Sequence, residues 1–214
     1  LLLDFDSTLI SKESLEEILF PILNQNRTLK REFDELTKKG MEGKIPFHES
    51  LSKRLNLAKP SLQEITAFGR RAHELVSPDL KNFLKWSKLH FEIWIISGGL
   101  KQAIMPFAEH FFIPTKHVVG VELKFDSDGN FLSIDANNPA SQSKILAAKS
   151  VKHHFKSEVI AVGDGFTDFE LYQQGIATQF IAYTEFAERD FIKKVNCNKA
   201  QNLKELKEIL SLWV

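Results

Sequence analysis

A single cysteine, Cys197, stands in 214 residues, so no disulfide can close within the chain and no cysteine-based zinc site can be built. Net charge is missing too. The 28 basic residues cancel 28 acidic ones, which removes the global signature of a nucleic-acid or anionic-membrane partner. No apolar run approaches the ~18 residues that span a bilayer. Leu1–Leu3 runs straight into Asp4 and Asp6, the wrong pattern for a secretory leader, so a cytoplasmic setting is expected. The chain begins without methionine, and residues that lengthen the first strand are expected to precede Leu1. A G-x-x-x-x-G-K-[ST] phosphate loop is absent, and Asp168 occupies the place where a G-x-G-x-x-G dinucleotide loop needs its third glycine. The seven histidines show no H-E-x-x-H or other metal-ligand spacing. What remains is a globular protein, 43% hydrophobic, with enough apolar residues for a sizeable core.

Short apolar runs bounded by turn residues lie at Leu1–Phe5, Phe91–Ile96, Val159–Val162 and Gln179–Tyr183. Because both faces of each run are apolar, they read as buried strands of a parallel sheet. Helical periods lie between them. One opens at Ser77–Pro78 and continues through Leu80, Phe83, Leu84 and Leu89; a second follows Gly98–Gly99; a third runs from about Ser141 to Val151. Strand–helix alternation of this kind predicts an α/β fold, a Rossmann-like parallel sheet sandwiched by helices.

Residues 12–75 break the rhythm with helical patterns only: Leu15/Ile18/Leu19, Leu29/Phe33/Leu36, Phe47/Leu51/Leu55 and Ile65/Phe68/Ala72. Ser61 and Glu64 form a capping-box signature for the last. The expected organisation is a catalytic core of residues 1–11 and 76–214 with a small helical cap, 12–75, inserted after the first strand. Asp128–Gly129, between Val121/Leu123/Phe125 and Phe131/Leu132/Ile134, predicts a β-hairpin flap.

Three patches carry chemistry. Asp4-Phe5-Asp6-Ser7-Thr8 ends the first strand, and residues two apart in an extended chain point the same way. Two acids there need a cation to neutralise them; solvated aspartates at a polar strand exit are the alternative. Gly163-Asp164-Gly165-Phe166-Thr167-Asp168 follows another apolar run, where glycines allow close approach and Asp164 offers a hard oxygen ligand. Ile96-Ser97-Gly98-Gly99 sits at a strand end, where a hydroxyl and backbone N–H groups at a helix start can cradle a phosphate. Lys144 alone is a weak signal.

Taken in order, the acid pair, Ser-Gly-Gly, a lysine and Gly-Asp-Gly-x-x-Asp resemble the four motifs of the haloacid dehalogenase superfamily. The phosphoserine phosphatase branch is similar over essentially the whole chain, including Met41-Glu42-Gly43-Lys44-Ile45-Pro46-Phe47 with Leu51 and Arg54. The resemblance implies a Mg2+-dependent phosphatase of the haloacid dehalogenase-like core. Asp4 is then the nucleophile that becomes phosphorylated, Asp6 the general acid and base, and Lys144 a catalytic cation. Asp4, Asp164, the backbone carbonyl of Asp6 and, through waters, Asp168 hold the metal. Ser97, Gly98, Gly99 and Thr167 bind phosphoryl oxygens, Glu13 meets the substrate ammonium, Arg54 its carboxylate, and Met41 and Phe47 line the pocket. The implied partner is a small phosphorylated metabolite, phosphoserine first, with no nucleic acid or membrane, in a monomer or homodimer. Phosphoethanolamine or a nucleotide is the alternative substrate; a phosphoacceptor switch and a silent binding module are the non-enzymatic ones. Ser143 stands where the family often has glycine before the lysine, and Thr167 where many relatives carry asparagine.

Overall fold

The computed structural model describes residues 1–41 and 44–214, with the side chain of Met41 outside that description. Strand β1 is short, Leu2–Leu3, and four helices follow it: α1 (Ser14–Leu23), α2 (Arg27–Met41), α3 (Phe47–Ala58) and α4 (Leu62–Arg71). Then come α5 (Leu80–His90), β2 (Trp94–Leu100), α6 (Lys101–His110), β3 (Val118–Val121), and a hairpin of β4 (Leu123–Phe125) and β5 (Phe131–Ile134). The chain closes with α7 (Lys144–Val151), β6 (Ile160–Gly163), α8 (Phe166–Gln173), β7 (Gln179–Tyr183), α9 (Asp190–Lys194), β8 (Asn198–Ala200) and α10 (Leu203–Leu210).

Six strands form one sheet in the order β3-β2-β1-β6-β7-β8, and every pairing is parallel. β1 lies at its centre, with Leu2 opposite Trp94 on one side and Ala161 on the other. Such a strand is apolar on both faces because helices cover both. Phe5 continues the packing: it is fully buried and meets Phe107 of α6 edge-on at a centroid distance of 5.0 Å. Burying a ring of that size stabilises the fold by about 2–3 kcal/mol.

Several boundaries differ from the sequence reading. β1 stops at Leu3, although Asp4 N–H still donates to Val162 O at 3.0 Å. Asp6 lies in the turn that follows, where Phe5 O accepts from the N–H groups of Leu9 and Ile10, so strand alternation does not orient the acid pair. β2 runs on through Ser97, Gly98 and Gly99, and its register against β3 shifts between Ile96 and Leu100. The Ser-Gly-Gly patch is therefore an irregular strand end rather than a helix start. α5 begins at Leu80 behind Asp79, and Leu89, expected on its apolar face, is 77% exposed. β8 escaped notice because Asn198-Lys199-Ala200 is a polar three-residue edge strand, a usual device against edge pairing.

The four inserted helices follow the predicted periods. Ser61 and Glu64 complete their capping box at the start of α4. α4 packs on α6 with almost no space between backbones: a Cβ on Gly69 would lie 2.3 Å from Ala103 O. The hairpin tip joins them, since Leu62 N–H donates to Gly129 O at 2.9 Å. Gly129 has φ +82°, the left-handed turn that asparagine or glycine tolerates. α2 and α3 pack on each other, with Ser50 Oγ donating to Leu36 O at 3.0 Å.

Candidate active site

The carboxyl ends of β1, β2 and β6 converge on one buried polar cluster, as open α/β sheets place their ligands. Lys144, at the start of α7, is its centre. Its Nζ lies 2.8 Å from Asp4 Oδ2 and 2.7 Å from Asp168 Oδ1, and all three side chains are at most 10% exposed. Burial alone would lower the lysine's pKa, but the carboxylates of Asp168 and Asp4 outweigh it and hold the ammonium above its ordinary value. Ser143 explains its own presence: its side chain caps α7 by accepting from Leu146 N–H at 3.1 Å.

Asp4, Asp164 and Asp168 bring one carboxylate oxygen each within 4.8 Å of one another, the one group of this kind among the described residues. Asp168 also accepts Gly165 N–H at 3.3 Å, and its carboxylate fills the space where Gly163 would carry a Cβ, 2.0 Å from Asp168 Cγ. Glycine at 163 is thus a requirement of the site. Burial is the first cause that lifts Asp164 to about 6, with the Asp4 charge adding to it against Arg189. Burial likewise lifts Asp168 to about 7 despite Lys144. Both shifts say the same thing: the protein's own cations leave the acids undercompensated. Three buried hard-oxygen donors short of positive charge fit a divalent cation.

Asp6 points elsewhere. Its Oδ1 accepts Ser14 N–H at 2.9 Å and its Oδ2 accepts Ser14 Oγ–H at 3.0 Å, outside the three-acid group. Burial, then repulsion from Glu13 and Asp4, raises its pKa well above the carboxylate range. A carboxyl group so placed keeps its proton to higher pH than a free aspartate does, and a proton so held can be given to a leaving group. Ser7, next along, has φ 52°, a left-handed conformation uncommon for a residue with a side chain.

The Ser97–Gly99 strand end lies beside Asp6: a Cβ on Gly99 would come 3.2 Å from Asp6 Oδ2 and 3.3 Å from Ser14 Oγ. Ser97 is buried, and its Oγ accepts Gly99 N–H at 3.0 Å, which leaves its own proton to donate. Phe47, first residue of α3, lays its ring over Gly98, 3.2 Å from where a Cβ would be. Arg54 is half-buried on α3, 5.7 Å from the Phe33 ring centroid, and its Nε makes a long 3.4 Å bond to Ser50 O. Burial lowers its pKa while Glu16, Glu13 and Asp6 pull it back up, so the guanidinium faces the acids without an ion-pair partner among the described residues.

Glu13 precedes α1 and makes no side-chain cap. Its Oε1 accepts Ser7 Oγ–H at 2.9 Å and an Arg189 N–H at 2.7 Å. Thr167 is exposed in the first turn of α8, and no hydrogen bond among the described residues draws it into the cluster. Met41 closes α2, and its expected pocket-lining side chain lies outside the described residues, as do Glu42 and Gly43.

Arg189, unnoticed in the sequence, is the second cation of the cluster. Its Nε donates to Asp164 Oδ2 at 2.7 Å. In sequence it sits in Glu185–Asp190, a mixed-charge run that reads as a solvated face; its place just beyond a buried strand was the usable signal.

Comparison with known proteins agrees with this geometry. Residues 1–173 match the sequence model of the haloacid dehalogenase-like hydrolases. A crystal structure of a phosphoserine phosphohydrolase-like protein from Francisella tularensis is 43% identical, covers 98% of both chains, and superposes with a TM-score of 0.90. The chloroplastic phosphoserine phosphatase of Arabidopsis thaliana is 32% identical over 84% of this chain and 61% of its own length. The phosphoserine phosphatase of Rattus norvegicus is 28% identical over 78% of this chain and 74% of its own length. This chain thus spans less than two thirds of the plant relative. With a matching family model over residues 1–173 and a structural relative that covers 98% of both chains, the chain belongs to the haloacid dehalogenase-like hydrolase family.

Proposed function

We propose that the protein is a Mg2+-dependent phosphoserine phosphatase, in which residues 12–75 act as a cap over a core of 1–11 and 76–214. The observation that carries the substrate is the pair of opposite charges beside the acid cluster. Glu13 Oε1 is taken by Ser7 and Arg189, while its Oε2 has no hydrogen-bond partner among the described residues and is left for an ammonium group. Arg54 offers a planar fork without an acid partner among the described residues, suited to two parallel bonds with a carboxylate. An amino acid carrying a phosphate meets both.

In this reading the Asp4 carboxylate attacks phosphorus. A P–O bond forms on Asp4 as the bond to the serine oxygen breaks, and Asp6 delivers its proton to that oxygen. Asp6, now a carboxylate, takes a proton from water, whose oxygen attacks the acyl phosphate, releases phosphate and restores Asp4. Ser14 holds both oxygens of Asp6 in place for the two transfers. Lys144 and the Ser97–Gly99 strand end offset charge on the phosphoryl oxygens, where preorganised donors act most strongly. Phe47 over Gly98 shields the reacting centre from water. A bound Mg2+, held by Asp4, Asp164, the Asp6 carbonyl and, through water, Asp168, would supply Lewis-acid stabilisation of the developing charge. A single cysteine suits a reducing, cytoplasmic setting.

Phosphate release from phosphoserine, phosphothreonine, phosphoethanolamine and a nucleotide monophosphate, with Mg2+ present, tests the proposal. Phosphoserine is expected to give the highest kcat/KM. Preference for either of the last two overturns the substrate and leaves the chemistry standing.

A further inference from the structure

Arg189 touches two acids that belong to different parts of the chain. Asp164 directly follows β6 of the sheet; Glu13 precedes α1, at the start of the helices that follow β1. One guanidinium bridges them, Nε to Asp164 Oδ2 and a terminal nitrogen to Glu13 Oε1, each at 2.7 Å. The two ends differ in burial. The Asp164 side chain is 7% exposed and that of Glu13 is 31%, so the Asp164 bond anchors the arginine and the Glu13 bond reaches outward.

The loop that presents Arg189 is itself tied down. Thr184 N–H donates to Ala200 O at 2.8 Å. Glu185 accepts Ser77 Oγ–H at 2.5 Å on one oxygen and the hydroxyl of Tyr183 on the other. Ser77 lies where the chain returns from the inserted helices to the sheet. The loop is thus held by β7, β8 and the returning segment before it reaches Arg189. An arginine so fixed can set the orientation of a carboxylate, because its planar fork bonds two acceptors in a defined geometry that a lysine cannot reproduce.

We propose that Arg189 is a positioning and specificity-determining residue. It pins Glu13 through Oε1, aims Oε2 at the substrate's ammonium group, and references that aim to Asp164. The inference rests on the amine-selecting role proposed for Glu13. Without Arg189, Glu13 keeps, among the described residues, only its bond from Ser7 and stands near Asp6 with no cation bonded to it, so it turns away from the pocket.

The test compares kcat/KM for phosphoserine with kcat/KM for p-nitrophenyl phosphate, which has no amine, in wild type, R189Q, R189K, E13Q and the R189Q/E13Q double variant. Melting curves confirm that each variant folds. The selectivity ratio for phosphoserine is expected to fall about tenfold or more in R189Q, chiefly through KM, as the loss of one charge-assisted hydrogen bond implies. R189K is expected to recover little of it, and it also serves as the test variant should R189Q not fold. The double variant is expected to match E13Q alone, because both changes remove one function. A residue that merely supports the fold would lower both rates together and leave the ratio alone. A high wild-type ratio that survives R189Q, or effects of R189Q and E13Q that multiply, overturns this inference only. A wild-type ratio near one overturns the phosphoserine reading and this inference with it.

Discussion

Removing divalent cations should make the protein less stable as pH rises, and Mg2+ should reverse that loss. Asp164 and Asp168 titrate at about 6 and about 7 in the folded protein, against about 3.9 for an unperturbed aspartate. Below about pH 4 both acids are protonated whether the chain is folded or not, and nothing is lost. Between about pH 4 and 7 the unfolded chain releases these protons and the folded one keeps them, so stability falls as pH rises, then levels off. At about 1.4 kcal/mol per pH unit, each acid alone accounts for roughly 3–4 kcal/mol. They share Asp4 and Lys144 as neighbours, so the joint effect is on the order of 4 kcal/mol rather than a sum. For a chain of this size that is on the order of 10 °C in Tm. Melting curves in chelator and in saturating Mg2+, at about pH 5 and about pH 8, measure it. The rise in Tm on adding Mg2+ should be several-fold larger at the higher pH. Asp164→Asn isolates one acid: its metal-free Tm should exceed wild type by more at the higher pH than at the lower. An Mg2+ effect equal at both pH values, or an Asp164→Asn variant less stable than metal-free wild type at the higher pH, would refute the reasoning.

Asp4→Asn should lower kcat for phosphate release by at least about a thousandfold, since the covalent route is lost; persistent turnover would move the nucleophile elsewhere. Arg54→Ala should raise KM for phosphoserine by about tenfold or more and change p-nitrophenyl phosphate much less, read from paired saturation curves. Gly69→Ala should destabilise the protein by about 2 kcal/mol or more in denaturant titrations, because its Cβ would lie 2.3 Å from the backbone oxygen of Ala103. Gly163→Ala should impair turnover, since its Cβ would displace the carboxylate of Asp168.

The central sheet was legible because strands covered on both faces must be apolar throughout, and Val159–Val162 and Gln179–Tyr183 announce themselves that way. The inserted helices were legible by period and by one capping box. The edges were not. β8 is polar, and β3 is too short to separate from the hairpin that follows it. The site divides along similar lines. Strand-end acids and glycines leave a local pattern, so Asp4, Asp164 and Asp168 could be found. Lys144 has no local pattern and was placed by order alone. Ser14 and Arg189 act on Asp6, Glu13 and Asp164 from 8 to 176 residues away, and such pairings are set by folding rather than by spacing. Thr167 shows that a motif position gives its register in the chain but not its exposure: it is exposed in the first turn of α8.

The near-contact of α4 with α6 at Gly69, together with the Leu62–Gly129 bond, limits how the pocket can open. A hinge that swung all four inserted helices as one lid would have to tear a helix pair apart at its tightest point. Helix α3 meets the strand end differently: its core side chains Leu51 and Leu55 are buried, and the half-exposed ring of Phe47 lies over Gly98. On the phosphatase reading proposed above, access to the buried acids then falls to the Phe47 end of α3, while α4 stays locked to α6.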